Sequence, residues 1–196
     1  MKILVACEES QRVCIEFRKL GHVAYSCDIL PCSGGHPEWH LQQDVLSLLN
    51  EKWDMIIGFP PCTYLSNAGA RHLYPGGKLN IERYKKGLLA KELFMAIYNA
   101  DCPKIAIENP TPSKIYELPE KTQVIQPWQF GHPYSKRTQL WLKGLPKLTP
   151  TNIVEIESSC RKAGNWFNKG GKNRQINRSK TFEGVAKAMA EQWGKL

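Results

Sequence analysis

Two side chains sit where a chain could do covalent chemistry. Cys62 closes the run Gly58-Phe59-Pro60-Pro61-Cys62, and Glu108 follows the apolar run Ile105-Ala106-Ile107. A thiol after two prolines stands on a rigid platform. It attacks as the thiolate, so it needs a positive or donor-rich setting. A carboxyl emerging from a buried strand is pushed toward its neutral form and can hold or pass a proton near neutral pH. The ordinary alternatives are an inert buried thiol and a carboxylate that caps the next turn.

The elements that would position these groups follow from apolar patterning. Residues 2–6 are a short apolar run that suits a buried strand, and residues 10–20 read as a helix with Val13, Phe17 and Leu20 on one face. Gly21 closes that helix, and Val23 to Cys27 reads as a second strand ending at Asp28. Strand–helix–strand is the opening of a parallel α/β fold. Residues 41–51 pass through Asp44 into a short helix, and Asp54 to Gly58 is another buried strand. Residues 66–80, rich in Gly, Asn and Pro, read as a long mobile loop, and such loops are often functional. Residues 82–100 form an amphipathic helix with Leu88, Leu89, Leu93, Phe94, Ile97 and Tyr98 apolar, and Lys104 to Glu108 is a further strand. Residues 123–130 and 138–143 alternate in a way that suits antiparallel edge strands. Phe182 to Trp193 is a last amphipathic helix. The expected fold is one α/β domain over residues 1–196, with a mostly parallel sheet and helices on both faces. In such sheets ligands bind beyond the carboxyl ends of the strands. Four of those ends carry polar or reactive groups: Cys7-Glu8-Glu9-Ser10, Asp28, Pro60-Pro61-Cys62 and Glu108-Asn109.

Composition narrows the class. At 196 residues, 42% hydrophobic and 23% charged, the chain can bury a core without disulfides or metals, and wholesale disorder is excluded. No apolar run approaches a membrane span, and the first residues are too short and too soon acidic for a signal peptide. The seven cysteines include no Cys-x-x-Cys pair, which favours reduced thiols in a cytoplasm. A net charge of +9 favours a polyanionic partner, nucleic acid first. Residues 158–180 carry seven basic residues and no acidic one, with Trp166 and Phe167 placed to stack.

The run Gly58-Phe59-Pro60-Pro61-Cys62-Thr63-Tyr64-Leu65-Ser66 resembles the catalytic loop of the DNA cytosine-5 methyltransferases. Glu108-Asn109-Pro110 resembles their Glu-Asn-Val motif, and Ser135-Lys136-Arg137-Thr138-Gln139 their Gln-x-Arg-x-Arg motif. Arg178-Ser179 and Gly184 through Ala190 resemble their final motif. Order and spacing agree over residues 2–146 and 178–194. The resemblance implies a Rossmann-like domain that binds S-adenosyl-L-methionine at Ala6, Cys7, Glu8, Glu9, Ser10, Asp28, Ile29, Asp44, Val45, Phe59 and Pro60. Asp28 would hold the ribose hydroxyls and Asp44 the adenine amino group. An acid at the end of the second strand suits that role independently, whereas Asp44 reads equally as a helix N-cap. The resemblance further implies that Cys62, Glu108 and Arg137 are catalytic and that Ser66, Asn109 and Gln139 meet the substrate. It implies a DNA partner whose target base is flipped out of the duplex, with the 66–80 loop as lid. Three departures are visible. Val5-Ala6-Cys7-Glu8-Glu9-Ser10 replaces a glycine-rich first motif, Thr63 follows the cysteine, and Gln139 replaces the second arginine. The basic stretch at about 147–180 stands where the family usually carries a large target-recognition domain, so any recognition site is short or absent.

Rival readings are weaker. Cys27, Cys32, His36 and His40 could be drawn as a zinc site, but their spacing matches no common finger and no metal is expected. An amino-group methyltransferase would want Asp or Asn before the two prolines and an aromatic after them. RNA cytosine-5 enzymes of the two-cysteine type carry Thr-Cys where Glu108-Asn109 stands. A catalytically silent nucleic-acid binder and an enzyme acting on a free pyrimidine nucleotide remain as alternatives. No membrane or protein partner is expected.

Overall fold

The computed structural model describes residues 1–159 and 180–196. Most of the basic stretch, with Trp166 and Phe167, lies outside the described residues.

Seven strands form one sheet: β1 (Lys2–Ala6), β2 (Val23–Asp28), β3 (His40–Gln42), β4 (Met55–Gly58), β5 (Ile105–Pro110), β6 (Gln123–Ile125) and β8 (Thr138–Lys143). Their order is β3-β2-β1-β4-β5-β8-β6. The first five run parallel, and β8 lies antiparallel between β5 and β6. A short separate pair joins β7 (Tyr134–Ser135) to β9 (Ser158–Ser159).

Alternation along the strands feeds two cores. Ile3 and Val5 of β1 face the helices α1 (Arg12–Lys19) and α4 (Glu183–Trp193), which pack on each other. Leu4 and Ala6 face the opposite way, toward Phe94 and Ile97 of α3 (Ile81–Tyr98). Both faces are covered, so β1, β4 and the start of β5 read as continuous apolar runs rather than alternating ones.

Several sequence expectations need correction. Residues 66–80 are not one long loop. They hold a turn of 3-10 helix at Asn67–Gly69, the short helix α2 (Ala70–Leu73) and another 3-10 turn at Pro75–Gly77, pinned by the buried Leu65 and Leu73. The first late strand ends at Ile125, and only β6 lies at the sheet edge, since β8 is paired on both sides. Leu89 is 64% exposed, so the apolar face of α3 is narrower than its composition suggests. His40–Gln42 adds a strand that its polar sequence hides.

The start of α1 is unusual. Cys7 adopts a left-handed backbone, φ 59°, which glycine takes most readily. Holding a side-chain-bearing residue there costs about 1–3 kcal/mol. Gln11, also left-handed, gives α1 no side-chain cap. Glu8 replaces it: its carboxylate accepts from the Val13 N–H at 2.7 Å and the Cys14 N–H at 3.2 Å. Burial pushes the Glu8 pKa up to about 8, against these two bonds.

A folded-state pKa above the unfolded value makes stability greatest at low pH. It is lost as pH rises from the ordinary carboxylate range through about 8. Thermal melts of the parent between about pH 5 and about pH 9 should therefore show falling stability, and Glu8→Gln should flatten that slope.

Candidate active site

The carboxyl ends of β1 and β2 carry several acidic side chains. Burial, with Asp28, Cys27 and Asp44 close by, pushes the Cys7 thiol well above the ordinary range. Burial also raises the Asp28 pKa and Glu9 adds to it, while the Leu30 N–H bond at 2.9 Å opposes. Glu9 turns Oε1 into the protein with no hydrogen-bond partner among the described residues. Asp28 and Asp44 thus stand near Cys7, and Glu9 near Asp28.

Other residues expected there have different neighbours. Glu8 is buried and commits both oxygens to α1, so it is not free for a ligand's amino group. Asp44 caps the short Val45–Ser47 turn, accepting from the Leu46 N–H at 3.0 Å while remaining exposed. Val45 is buried in the core, whereas Ile29 is 72% exposed. Ser10 is buried beneath residues 33–36: the Ser33 N–H donates to the Glu9 carbonyl at 2.8 Å, and Gln11 exchanges two bonds with the His36 backbone. A Cβ on Gly34 would stand 2.7 Å from the Ser10 carbonyl oxygen, so only glycine passes. The Phe59 N–H donates to the Ala6 carbonyl at 2.9 Å, which ties the ends of β1 and β4.

The chemistry-bearing pair sits one strand further along. Gly58 of β4 lies beside Ile107 of β5, so the Phe59–Cys62 turn and Glu108 leave adjacent strand ends. Wholly buried Asn109 donates from Nδ2 to the Pro60 carbonyl at 3.1 Å. The Ser66 N–H bonds the Cys62 carbonyl at 2.8 Å, closing the turn from the other side. Cys62 itself is exposed. Ser66 caps Asn67–Gly69 through Oγ and bridges Pro112, and Gln139 donates to Thr111 Oγ1 at 3.3 Å. Both therefore secure the turn to the strand beyond Glu108.

Glu108 faces the α4 side. Burial raises its pKa, while the charge of Lys136 and a bond from the Thr138 side chain pull the other way. Its carboxyl lines a cavity of about 20 Å³ with Lys136, Thr138 and Phe182. That is room for about one water. Cys62 is not among the residues lining it. The two groups are neighbours across a strand end rather than partners in one cavity.

The cation acting on Glu108 is Lys136, whereas Arg137 is exposed. Strand alternation could have found this. Leu140 pairs opposite Glu108 on one face, and Thr138 and Lys136 precede it at intervals of two. Phe182 had no sequence signal beyond starting the last helix.

The drawn zinc residues are otherwise engaged. His40 contacts Ser26 Oγ and the Leu30 carbonyl, both at 2.9 Å, Cys27 donates to the Gln43 carbonyl at 3.3 Å, and His36 stacks on Trp39. Among the described residues no three His, Cys, Asp or Glu side chains gather to hold a metal ion. No described helix is long and apolar enough to cross a membrane.

No family model and no curated protein matches this chain. The solved structures to which it is similar include the following. One is a prophage-encoded E. coli protein assigned as a DNA modification methyltransferase, 14% identical, covering 79% of this chain and 52% of that one, TM-score 0.47. Another is the Entamoeba histolytica methyltransferase EhMeth, 12% identical, covering 79% and 57%, TM-score 0.46. The third is an rRNA methylase from E. coli, 18% identical, covering 72% and 56%, TM-score 0.37. This chain spans a little over half the length of each.

Proposed function

We propose that this chain transfers a methyl group from S-adenosyl-L-methionine to carbon 5 of cytosine in DNA through a covalent Cys62 adduct. The observation that carries this reading is the Asn109 to Pro60 bond, which fastens the Pro-Pro-Cys turn to the strand that bears Glu108. A nucleophile and a proton-holding carboxyl on adjacent strand ends are what addition to a pyrimidine ring requires.

The acidic ends of β1 and β2 suit a cationic cofactor. A dinucleotide would set its pyrophosphate on the N-terminus of α1. Here Glu8 already fills that place, and Glu9, Asp28 and Asp44 would repel a phosphate. An ammonium or sulfonium cation instead answers the unpartnered Glu9 oxygen, and Asp28 remains for a ribose diol. When bound, the cofactor supplies an electrophilic methyl group.

The chain's own residues do the rest. The Cys62 thiolate bonds to carbon 6 while the Glu108 carboxyl holds a hydrogen bond or proton at ring nitrogen 3. Electron density moves to carbon 5, which becomes nucleophilic. Carbon 5 would take the methyl group, the cofactor leaving as a neutral thioether; loss of the carbon-5 proton to water would then restore the double bond and expel the thiolate. Lys136 and Thr138 tune Glu108. A base inside a duplex cannot reach such groups, so it must be flipped out.

Three tests follow from these roles. Incubation with DNA and labelled cofactor, read by nucleoside mass spectrometry, should yield 5-methylcytosine. Cys62→Ala should abolish it, and 5-fluorocytosine DNA should trap an adduct on Cys62; methylation without that adduct would rule out the thiolate route. The ratio of parent to Glu108→Gln rate should fall as pH rises, because the raised pKa keeps the parent's carboxyl protonated only at lower pH while the amide always donates; a constant ratio removes Glu108 from proton transfer. Glu9→Gln and Asp28→Asn should each weaken cofactor binding about tenfold or more by calorimetry. Unchanged affinity would place the cofactor elsewhere.

A further inference from the structure

Beside the Cys62 turn lies an open cleft of about 580 Å³ that the proposed chemistry leaves unused. Arg71, Arg83 and Lys86 line it, with Glu82 as the acid among them. Among the described residues no carboxylate forms an ion pair with any of the three cations. Neutral groups hold them instead. Arg83 donates from Nη2 to the Thr63 carbonyl at 2.8 Å. Its guanidinium lies 5.0 Å from the Tyr64 ring centroid, and Lys86 Nζ lies 5.8 Å from the same ring. Arg71 Nε is 3.1 Å from His72 Nε2.

Three cations to one acid along an open wall, none of them ion-paired and two of them near one aromatic ring, suit a run of phosphodiesters. A single small anion would be better served by an enclosed pocket. The guanidinium of Arg83 keeps further N–H donors beyond the one given to Thr63. That bond also ties the cleft to the residue next to Cys62, so a phosphate on Arg83 would bear directly on the nucleophile's turn. We infer that this cleft holds the sugar–phosphate backbone of a nucleic-acid strand beside the target nucleotide. The inference rests on the reading that the substrate is a polynucleotide.

The test measures binding, not methyl transfer. Fluorescein-labelled DNA, as duplex and as single strand, is titrated with the full chain over a series of salt concentrations. Arg71→Ala/Lys86→Ala should weaken binding about tenfold or more and lower the slope of log K against log salt by about two. Lys52→Ala/Lys147→Ala removes the same formal charge outside the cleft and should leave the slope near the parent's. Equal thermal melts of both variants guard against misfolding. An unchanged slope in the cleft variant, equal losses from the two pairs, or no binding of DNA at all would overturn the inference. So would full competition by cytidine monophosphate at equal phosphate concentration, since the cleft would then hold a free nucleotide. The two readings fail separately. DNA bound through the cleft but never methylated sinks the reaction alone, while methylated DNA with an unaltered cleft variant sinks the cleft alone.

Discussion

The buried amide of Asn109 is the contact on which the arrangement around Cys62 depends. Two consecutive prolines offer no N–H, so the Pro60-Pro61 turn cannot anchor itself by donating. Its Pro60 carbonyl is satisfied from outside, by a side chain on the neighbouring strand. The parallel register that sets Gly58 beside Ile107 brings that donor within reach. Removing the amide would leave a carbonyl unpaired, worth about 1–3 kcal/mol where it is buried. The same bond therefore stabilises the fold and sets where the thiol stands. Leu65, fully buried, and the Ser66 bond to the Cys62 carbonyl hold the turn's far side.

Charge is segregated rather than spread. The chain is strongly basic, yet at the ends of β1 and β2 Asp28 and Asp44 stand near Cys7 and Glu9 near Asp28. Burial and the charge of Glu9 raise the Asp28 pKa, so a cation eases this end of the sheet and an anion worsens it. Glu8 sharpens this preference by filling the helix N-terminus from within. The left-handed Cys7 turns the chain sharply between β1 and α1.

What the sequence disclosed follows from how each element is buried. β1, β4 and β5 are covered on both faces, so their apolar runs were legible, and each reactive group was placed by simply following its strand to the end. β8 was legible as a strand but not as an interior one, because its second partner, β6, is fixed by long-range pairing that local alternation does not encode. Residues 66–80 misled through composition: Gly, Pro and Asn favour turns, yet buried Leu73 and the Asn80 cap of α3 fold the segment into short helices. Arg137 drew attention by resemblance, while Lys136 acts on Glu108. Their order is a matter of which face each side chain takes, and one residue of register reverses it.

The small cavity at Glu108 sets a condition on the proposed chemistry. Burial favours the neutral carboxyl, and Phe182 is part of what excludes water there, while Lys136 and Thr138 favour the charged form. With space for only about one water, a pyrimidine ring cannot enter without displacing side chains or approaching from the open strand end. Displacing Phe182 admits solvent and shifts the balance toward the carboxylate. A bound ring restores it, because its apolar faces take over the exclusion of water. The carboxyl can then keep its preference for the neutral form with a base in place only if the ring excludes water as well as Phe182 does.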